Sequence, residues 1–254
     1  MADNILRDVL LEVIRVITPV GIDSVRVKQE DGKVTFETLD EEKSIIISGE
    51  LLSGVTVPEF EGVGSFGIAK VGVLGGFLNL STHKTDQATI KINARERNGV
   101  MTAEEIELMA DKNVKTIFRL MNPELLPKAK FKDGVKWDVV FSPDKSTMAE
   151  FNQKAAILGS FEDYFYPTVD EKGNLIFCIG AEGKHSTFTI MAEGVTGKLS
   201  QKIYIPTVKF TNALKVDSNL ENTVCSIFSG GALMLETKLA KTSWRMILPA
   251  RIKS

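Results

Sequence analysis

An internal repeat constrains the fold of this chain more than any other feature of the sequence. Each half reads as an amphipathic helix, a set of short alternating strands, a short helix and a further set of strands. A shift of 136 residues places Leu74 on Phe210 and Leu78 on Leu214, so apolar positions coincide although identities are few. Two halves with the same order of elements predict a duplicated α+β unit.

Four segments have the apolar spacing of helices. Residues 4–18 and 142–159 each carry a stripe that predicts an amphipathic helix packed on a sheet. The first stripe consists of Leu6, Val9, Leu10, Val13, Val16 and Ile17. The second consists of Met148, Phe151, Ala155 and Leu158. Shorter helices are predicted at residues 73–78 and 207–216.

The remaining regular segments alternate apolar and polar residues and predict strands. These are residues 25–29, 34–37, 45–47, 65–71, 88–92, 114–120, 137–141, 164–169, 175–179, 187–192, 202–205, 223–228, 232–239 and 243–248. Asp31-Gly32 predicts a tight turn between the first two. Residues 102–106 begin like a capped helix, and an acidic loop is the alternative.

A stretch rich in proline and lysine separates the two halves. Residues 122–134 contain Pro123, Pro127 and several lysines around the apolar pair Leu125 and Leu126. Proline interrupts regular hydrogen bonding, so an extended connector is predicted here. The chain then divides into an N-terminal domain of residues 1–121, this connector, and a C-terminal domain of residues 135–254.

Composition narrows the class of protein. With 43% hydrophobic and 25% charged residues, the chain is not generally disordered. Cys178 and Cys225 are too few for a disulfide scaffold, and both are predicted to be core thiols. No apolar run approaches the roughly 20 residues that cross a bilayer. The first four residues lack the pattern of a signal peptide, so a soluble, cytoplasmic protein is expected.

No group of residues predicts an enzyme. His83 and His185 have no metal-ligand spacing, and His83 is expected in a polar surface loop. Neither Gly75-Gly76 nor Gly230-Gly231 is framed as a phosphate-binding loop. We therefore predict no catalytic residue, no metal ligand and no cofactor.

Two local motifs add to the repeated order of elements. Residues 66–78 read Phe-Gly-Ile-Ala-Lys-Val-Gly-Val-Leu-Gly-Gly-Phe-Leu, and residues 245–252 read Arg-Met-Ile-Leu-Pro-Ala-Arg-Ile. With the duplication and the connector, they resemble the sliding clamps, the processivity rings of DNA polymerases. The first motif is similar to clamps of T-even-type tailed phages, and the second to the tail of proliferating cell nuclear antigen (PCNA). The resemblance covers essentially the whole chain and, with so few identities to cellular clamps, favours a phage origin.

The resemblance implies a fold, an assembly and a function. The fold is the α+β DNA clamp fold, with two duplicated helix-plus-antiparallel-sheet domains per chain and six domains in a trimeric ring. Edge strands of neighbouring subunits would pair, and twelve helices would line the hole. The ring would encircle duplex DNA and tether the replicative DNA polymerase without any enzymatic activity. Expected partners are DNA without regard to sequence, that polymerase, a clamp loader ATPase and further copies of the chain, but no membrane; a phage-encoded clamp would act in the host cytoplasm.

The resemblance also implies two sets of site residues. Helix cations expected to face DNA phosphates are Arg7, Arg15, Lys84, Lys145, Lys154, Lys209 and Lys215. A shallow pocket for a partner's peptide is expected from Leu125, Leu126, Leu248, Pro249, Ala250 and Ile252. As alternatives, the cations are ordinary surface residues, and Leu248 and Ile252 complete the packing of the last strand.

Two other classes of function stay open at this point. A structural β-rich protein of a phage tail or capsid would also assemble symmetrically. A small-molecule enzyme would carry a site that the sequence does not reveal.

Overall fold

The structure, a computed structural model, describes residues 4–30, 32–85, 88–97, 99–111, 114–129, 131, 134–180 and 184–251. The described residues form two compact units, each discontinuous in the sequence. The first unit comprises Met1–Leu39, Ile47–Ala129 and Leu239–Ser243, and the second comprises Asp40–Ile46, Lys130–Lys238 and Trp244–Ser254, within the described ranges.

The first unit contains two helices and two antiparallel sheets. The helices are α1 (Ile5–Ile17) and α2 (Val71–Leu78). Its strands are β1 (Ser24–Glu30), β2 (Lys33–Leu39), β3 (Ile46–Leu51), β4 (Phe66–Ala69), β5 (Thr89–Arg97), β6 (Val100–Asp111) and β7 (Val114–Arg119). One-turn 3₁₀ helices lie at Pro58–Phe60, Ser81–His83 and Pro123–Leu125. The strand orders are β4-β1-β2-β3 and β5-β6-β7.

The second unit repeats this arrangement. Its helices are α3 (Lys145–Leu158) and α4 (Thr207–Leu214). Its strands are β8 (Val139–Phe141), β9 (Tyr164–Val169), β10 (Leu175–Gly180), β11 (Ser186–Ala192), β12 (Ile205–Pro206), β13 (Thr223–Phe228), β14 (Ala232–Lys238) and β15 (Thr242–Pro249). The order β11-β10-β9-β12 matches β3-β2-β1-β4 of the first unit. The order β15-β14-β13 matches β7-β6-β5, and in the second unit β8 adds one more strand beside β13. The α+β class predicted from the sequence is confirmed.

Helix α1 buries the stripe that its spacing predicts. All six apolar residues of the stripe are buried, and the Asn4 side chain caps the helix by accepting a hydrogen bond from the Arg7 backbone N–H at 3.1 Å. Glycine normally weakens a helix, but Gly75 of α2 has a reason here. A Cβ atom at Gly75 would lie 3.3 Å from Ile14 Cγ2. The missing side chain therefore lets α1 and α2 approach closely.

The second unit is organised around four phenylalanines. Phe151 of α3, Phe165 and Phe177 of the sheet, and Phe210 of α4 are fully buried. Their ring centroids lie between 4.6 and 6.0 Å apart, mostly in tilted or edge-on geometry. Met148 and Ala155 of the predicted stripe are also buried, whereas Leu158 is half-buried. This cluster fixes both helices on one face of the sheet.

Two local predictions are wrong. Residues 102–106 are neither helix nor loop but part of β6, because cations from both neighbouring strands neutralise its carboxylates. Glu107 contacts Lys91 Nζ at 2.9 Å and Lys115 Nζ at 2.5 Å, and these contacts, Lys115 foremost, lower the pKa of Glu107 to about 2. His83 is buried rather than on the surface, with Nε2 3.1 Å from Thr116 Oγ1.

Other boundaries shift by a few residues. The strand predicted at 202–205 is reduced to Ile205–Pro206, and the connector begins with a single 3₁₀ turn. Gly32 has φ +74°, as the predicted turn requires, while Asp31 lies outside the described residues. No helix in the described part of the chain is long and apolar enough to span a membrane.

Candidate nucleic-acid interface

The two cations predicted on α1 have different environments. Arg7 is half-buried, and its Nη2 donates a hydrogen bond to the Leu78 carbonyl oxygen at 2.9 Å. A cation at this position provides a hydrogen bond to a carbonyl at the C-terminal end of α2 and interacts favourably with the negative end of the helix dipole. Arg15 is exposed and has no hydrogen bond or ion pair with the described residues. Arg15 is therefore available to an anion in solution, and Arg7 holds the two helices together.

Glu12, an acid on the same helix as these cations, is occupied elsewhere. Its carboxylate accepts hydrogen bonds from the Lys241 backbone N–H at 3.1 and 3.2 Å and from the Thr242 hydroxyl. Lys241 ends the turn before β15 and Thr242 is the first residue of that strand, and both belong to the first unit. Glu12 thus fixes a turn rather than opposing the exposed Arg15.

Helix α2 has no charged side chain. Its exposed positions are Gly72, Val73 and Gly76, and a Cβ atom at either glycine would meet nothing within 4 Å. The next predicted cation along the chain is Lys84, which is exposed at the end of the 3₁₀ turn Ser81–His83. Of the three cations predicted to face DNA in this unit, two therefore lie on α1 and one follows α2.

Helix α3 begins at a well-formed cap. The Asp144 carboxylate accepts hydrogen bonds from the backbone N–H groups of Ser146 and Thr147 at 2.9 and 3.0 Å. The Ser146 hydroxyl makes the largest contribution among the contacts that lower the pKa of Asp144 to about 2. Lys145 is exposed at this end of the helix. Lys154, one turn before the other end, pairs with Glu150 and donates to the Phe188 carbonyl oxygen at 2.7 Å.

The two cations predicted on or beside α4 differ in their environments: Lys209 pairs with a buried acid, and Lys215, directly after the helix, is exposed to solvent. Lys209 Nζ lies 3.0 Å from Asp40 Oδ2, whose side chain is only 7% exposed. Burial raises the pKa of Asp40, but hydrogen bonds from the Ser44 hydroxyl and the Ile45 N–H, together with Lys209, outweigh burial and hold that pKa below its ordinary value. Lys215 is exposed and donates to Asn212 Oδ1 at 2.7 Å.

The seven predicted cations therefore fall into two groups. Three have partners that fix the fold, namely Arg7, Lys154 and Lys209. Four are exposed and make no ion pair within the described residues, namely Arg15, Lys84, Lys145 and Lys215. A charge reversal at Lys209 would set a second carboxylate against Asp40, so Lys209 is unsuitable for testing DNA contact.

The connector half of the predicted peptide pocket is partly accessible. Leu125 is 72% exposed, and Leu126 is half-buried against Gly67. A residue that the sequence reasoning missed, Arg26, donates to the Leu126 carbonyl oxygen at 2.8 Å and to Glu124 at 3.3 Å. The sequence could have indicated this residue, because Arg26 lies between Val25 and Val27 in a predicted strand. A charge buried at such a position requires hydrogen-bond partners.

The tail half of the predicted pocket is less accessible. Leu248 is fully buried in β15, which agrees with the alternative that this leucine completes the packing of the last strand. Pro249 and Ala250 are half-buried, and Ile252 lies outside the described residues. Backbone hydrogen bonds from Ala250 to Gly231 and between Arg251 and Tyr204, each at 2.8 Å, hold this segment.

The two cysteines both lie in the interior of the second unit. Cys178 and Cys225 are buried free thiols, as predicted, and burial raises the pKa of both. Among the described residues, no three His, Cys, Asp or Glu side chains are placed to hold a metal ion.

The repeated units, each with two helices on antiparallel sheets, define the class of fold: the chain has the fold of the PCNA-like sliding clamps. PCNA of A. fulgidus, bound to the C-terminal region of FEN-1, matches with TM-score 0.69 and 13% identity over 98% of this chain and 97% of its own. PCNA of Thermococcus kodakaraensis matches with TM-score 0.66 and 13% identity over 95% and 96%. PCNA of Entamoeba histolytica matches with TM-score 0.65 and 11% identity over 98% and 96%. No family model and no curated protein matches the sequence.

Proposed function

We propose that the protein is a non-enzymatic sliding clamp that encircles duplex DNA and tethers a replicative DNA polymerase. The observation that carries this proposal is the likeness of fold over 98% of the chain to a PCNA chain that is itself covered over 97%. We further propose that it is encoded by a tailed phage and loaded by an ATP-driven clamp loader in the host cytoplasm. It would use no cofactor.

We propose that three chains form the ring, each contributing an N-terminal domain of residues 1–121, a connector of residues 122–134 and a C-terminal domain of residues 135–254. Two sheet edges support this assembly. β7 and β11 are outermost strands of their sheets, and both expose apolar side chains, including Ile117 on β7 and Phe188 on β11. Pairing β11 of one subunit with β7 of the next would cover both edges, and repetition by rotation would close a ring.

The DNA contact is proposed for the four exposed cations. Arg15, Lys84, Lys145 and Lys215 lie on or beside helices in both units, where they have no acidic partner within the described residues. Flexible cations of this kind attract phosphates without reading bases, as sliding requires.

Peptide docking is proposed for the accessible members of the predicted pocket. In the first unit these are Leu125 and Leu126, and in the second they are Pro249 and Ala250, with Ile252 retained from the sequence. An apolar anchor of a polymerase or loader peptide would bind such residues.

The proposed ring is tested by measuring the mass and the shape of the purified particle. Light scattering is expected to give three times the chain mass of 27.9 kDa. Electron microscopy is expected to show a six-lobed annulus with a hole that admits duplex DNA. A monomer at all concentrations, or an open polymer, would contradict the proposal and favour a different class of protein.

A further inference from the structure

One end of the second unit combines an open sheet edge with exposed apolar side chains. β11 is the outer strand of its sheet. Ile157 of α3 and Phe161, three residues after that helix ends, are 73% and 77% exposed, and Phe188 of β11 is 58% exposed. Between α3 and β11 lies a cavity of about 440 Å³ whose lining includes Lys154 and Ser186. This end has the composition of a surface that a protein partner covers.

A single lysine crosses from the helix to the edge strand. Lys154 Nζ donates a hydrogen bond to the Phe188 carbonyl oxygen at 2.7 Å, and it pairs with Glu150 one turn earlier on α3. A side-chain ammonium reaches a strand carbonyl most directly where no neighbouring strand covers it. The contact therefore occupies a backbone acceptor on the open side of β11.

Open strand edges pair readily with other chains, and charged side chains, lysine above all, are a common protection. We infer that Lys154 is a latch on the β11 edge: it blocks the Phe188 carbonyl in the free chain and must release it when β7 of a second copy docks. This inference rests on the proposed ring, because it names the residue that controls ring assembly. Glu150 restrains the lysine and so helps to keep the latch closed.

The latch has a measurable cost for assembly. Each subunit contact must break one charge-assisted hydrogen bond to a backbone carbonyl before the strands pair. Lys154→Met keeps most of the aliphatic stem but removes the donor. Because one such bond contributes modestly to stability, we expect the variant to associate roughly two- to ten-fold more tightly per interface than the wild type.

The experiment measures self-association of the full chain without DNA. Wild type, Lys154→Met, Lys154→Arg and the control Lys145→Met are compared by sedimentation velocity over a dilution series, and circular dichroism verifies folding. Lys145 is a matched control because it is an exposed lysine of the same helix with no hydrogen bond or ion pair to β11 within the described residues. Arginine at position 154 keeps a charged donor, so Lys154→Arg is expected to behave like the wild type.

The outcomes separate the latch from the ring. Tighter trimers for Lys154→Met alone would support the latch. Trimers of unchanged or weaker affinity would overturn it and leave the ring intact, and weaker trimers would identify Lys154 as an interface residue instead. If the wild type and Lys154→Met both stay monomeric at every concentration, the proposed ring and the latch both fail.

Discussion

The ion pair between Lys209 and Asp40 offers a sharp test of which cations are structural. Replacing Lys209 by methionine keeps an aliphatic side chain of similar length but removes the charge that lies 3.0 Å from Asp40 Oδ2. Asp40 would retain hydrogen bonds from the Ser44 N–H at 2.7 Å and the Ile45 N–H at 3.1 Å. The carboxylate would therefore stay partly satisfied in a buried position.

The expected loss of stability follows from the burial of the two partners. Removing one partner of a fully buried pair costs about 3–5 kcal/mol, whereas an exposed pair contributes about 0–1 kcal/mol. Asp40 is 7% exposed and Lys209 is 25% exposed, so their pair lies between these limits. We expect Lys209→Met to lower the free energy of unfolding by about 1–3 kcal/mol, and the melting temperature by about 2–10 °C.

The pH dependence distinguishes the effect of the missing charge from that of altered packing. The folded-state pKa of Asp40 is below its ordinary value. Such a carboxylate stabilises the folded state above the unfolded pKa of about 3.9 and stops doing so as the pH falls through the folded pKa. The difference between wild type and Lys209→Met should therefore be full at neutral pH and should shrink below about pH 4.

Thermal melts followed by circular dichroism across this pH range provide the measurement. Lys215→Met is the matched control, since Lys215 lies at the end of the same helix and its ammonium donates to the uncharged Asn212 side chain rather than to a buried acid. Its stability should change by less than about 0.5 kcal/mol. An unchanged melting temperature for Lys209→Met at neutral pH, or a deficit of constant size into acid, would refute the argument.

Three further predictions concern other parts of the molecule. Glutamine in place of all four exposed cations should weaken DNA binding and reduce its salt slope by roughly 0.9 for each phosphate that is no longer neutralised, while the trimer persists; an unchanged slope in titrations would contradict their assignment. Glu12→Ala removes the acceptor for the Lys241 N–H and should cost about 1–3 kcal/mol in urea unfolding, and a neutral result would show that the turn before β15 holds without it. Gly67→Ala would put a Cβ atom 2.8 Å from Leu126 Cδ1, so we expect about 1–3 kcal/mol of destabilisation and faster proteolysis of the connector, whereas Gly72→Ala, which meets nothing within 4 Å, should cause neither.

Local periodicity was enough to predict much of the fold. The apolar stripe of α1 could be read from its spacing because each residue that it buries is set by the helical repeat alone. The prediction of a capped helix or an acidic loop at residues 102–106 was wrong because the strand that contains them is paired on both sides. Glu107 of this strand is neutralised by Lys91 and Lys115, which belong to the two neighbouring strands. Partners on other strands cannot be identified from the residues that are adjacent in the sequence.

The candidate site was less predictable for the same reason. A lysine on a helix looks the same in the sequence whether it faces solvent or is paired with a buried acid. Lys215 and Lys209 are six residues apart, yet only Lys209 lies beside Asp40, which belongs to a distant part of the chain. Whether a cation can meet DNA depends on such long-range contacts, and these become visible only in the folded chain.

The discontinuous make-up of the two units bears on how the protein is made. Leu239–Ser243 belongs to the first unit, where Glu12 accepts a hydrogen bond from Lys241. On the ribosome, Glu12 emerges early and must wait for nearly all the remaining residues to be translated before this contact can form. We therefore expect the first unit to reach its final stability late in synthesis. In a chain stalled before residue 239, this unit should be more sensitive to proteases than in the complete chain.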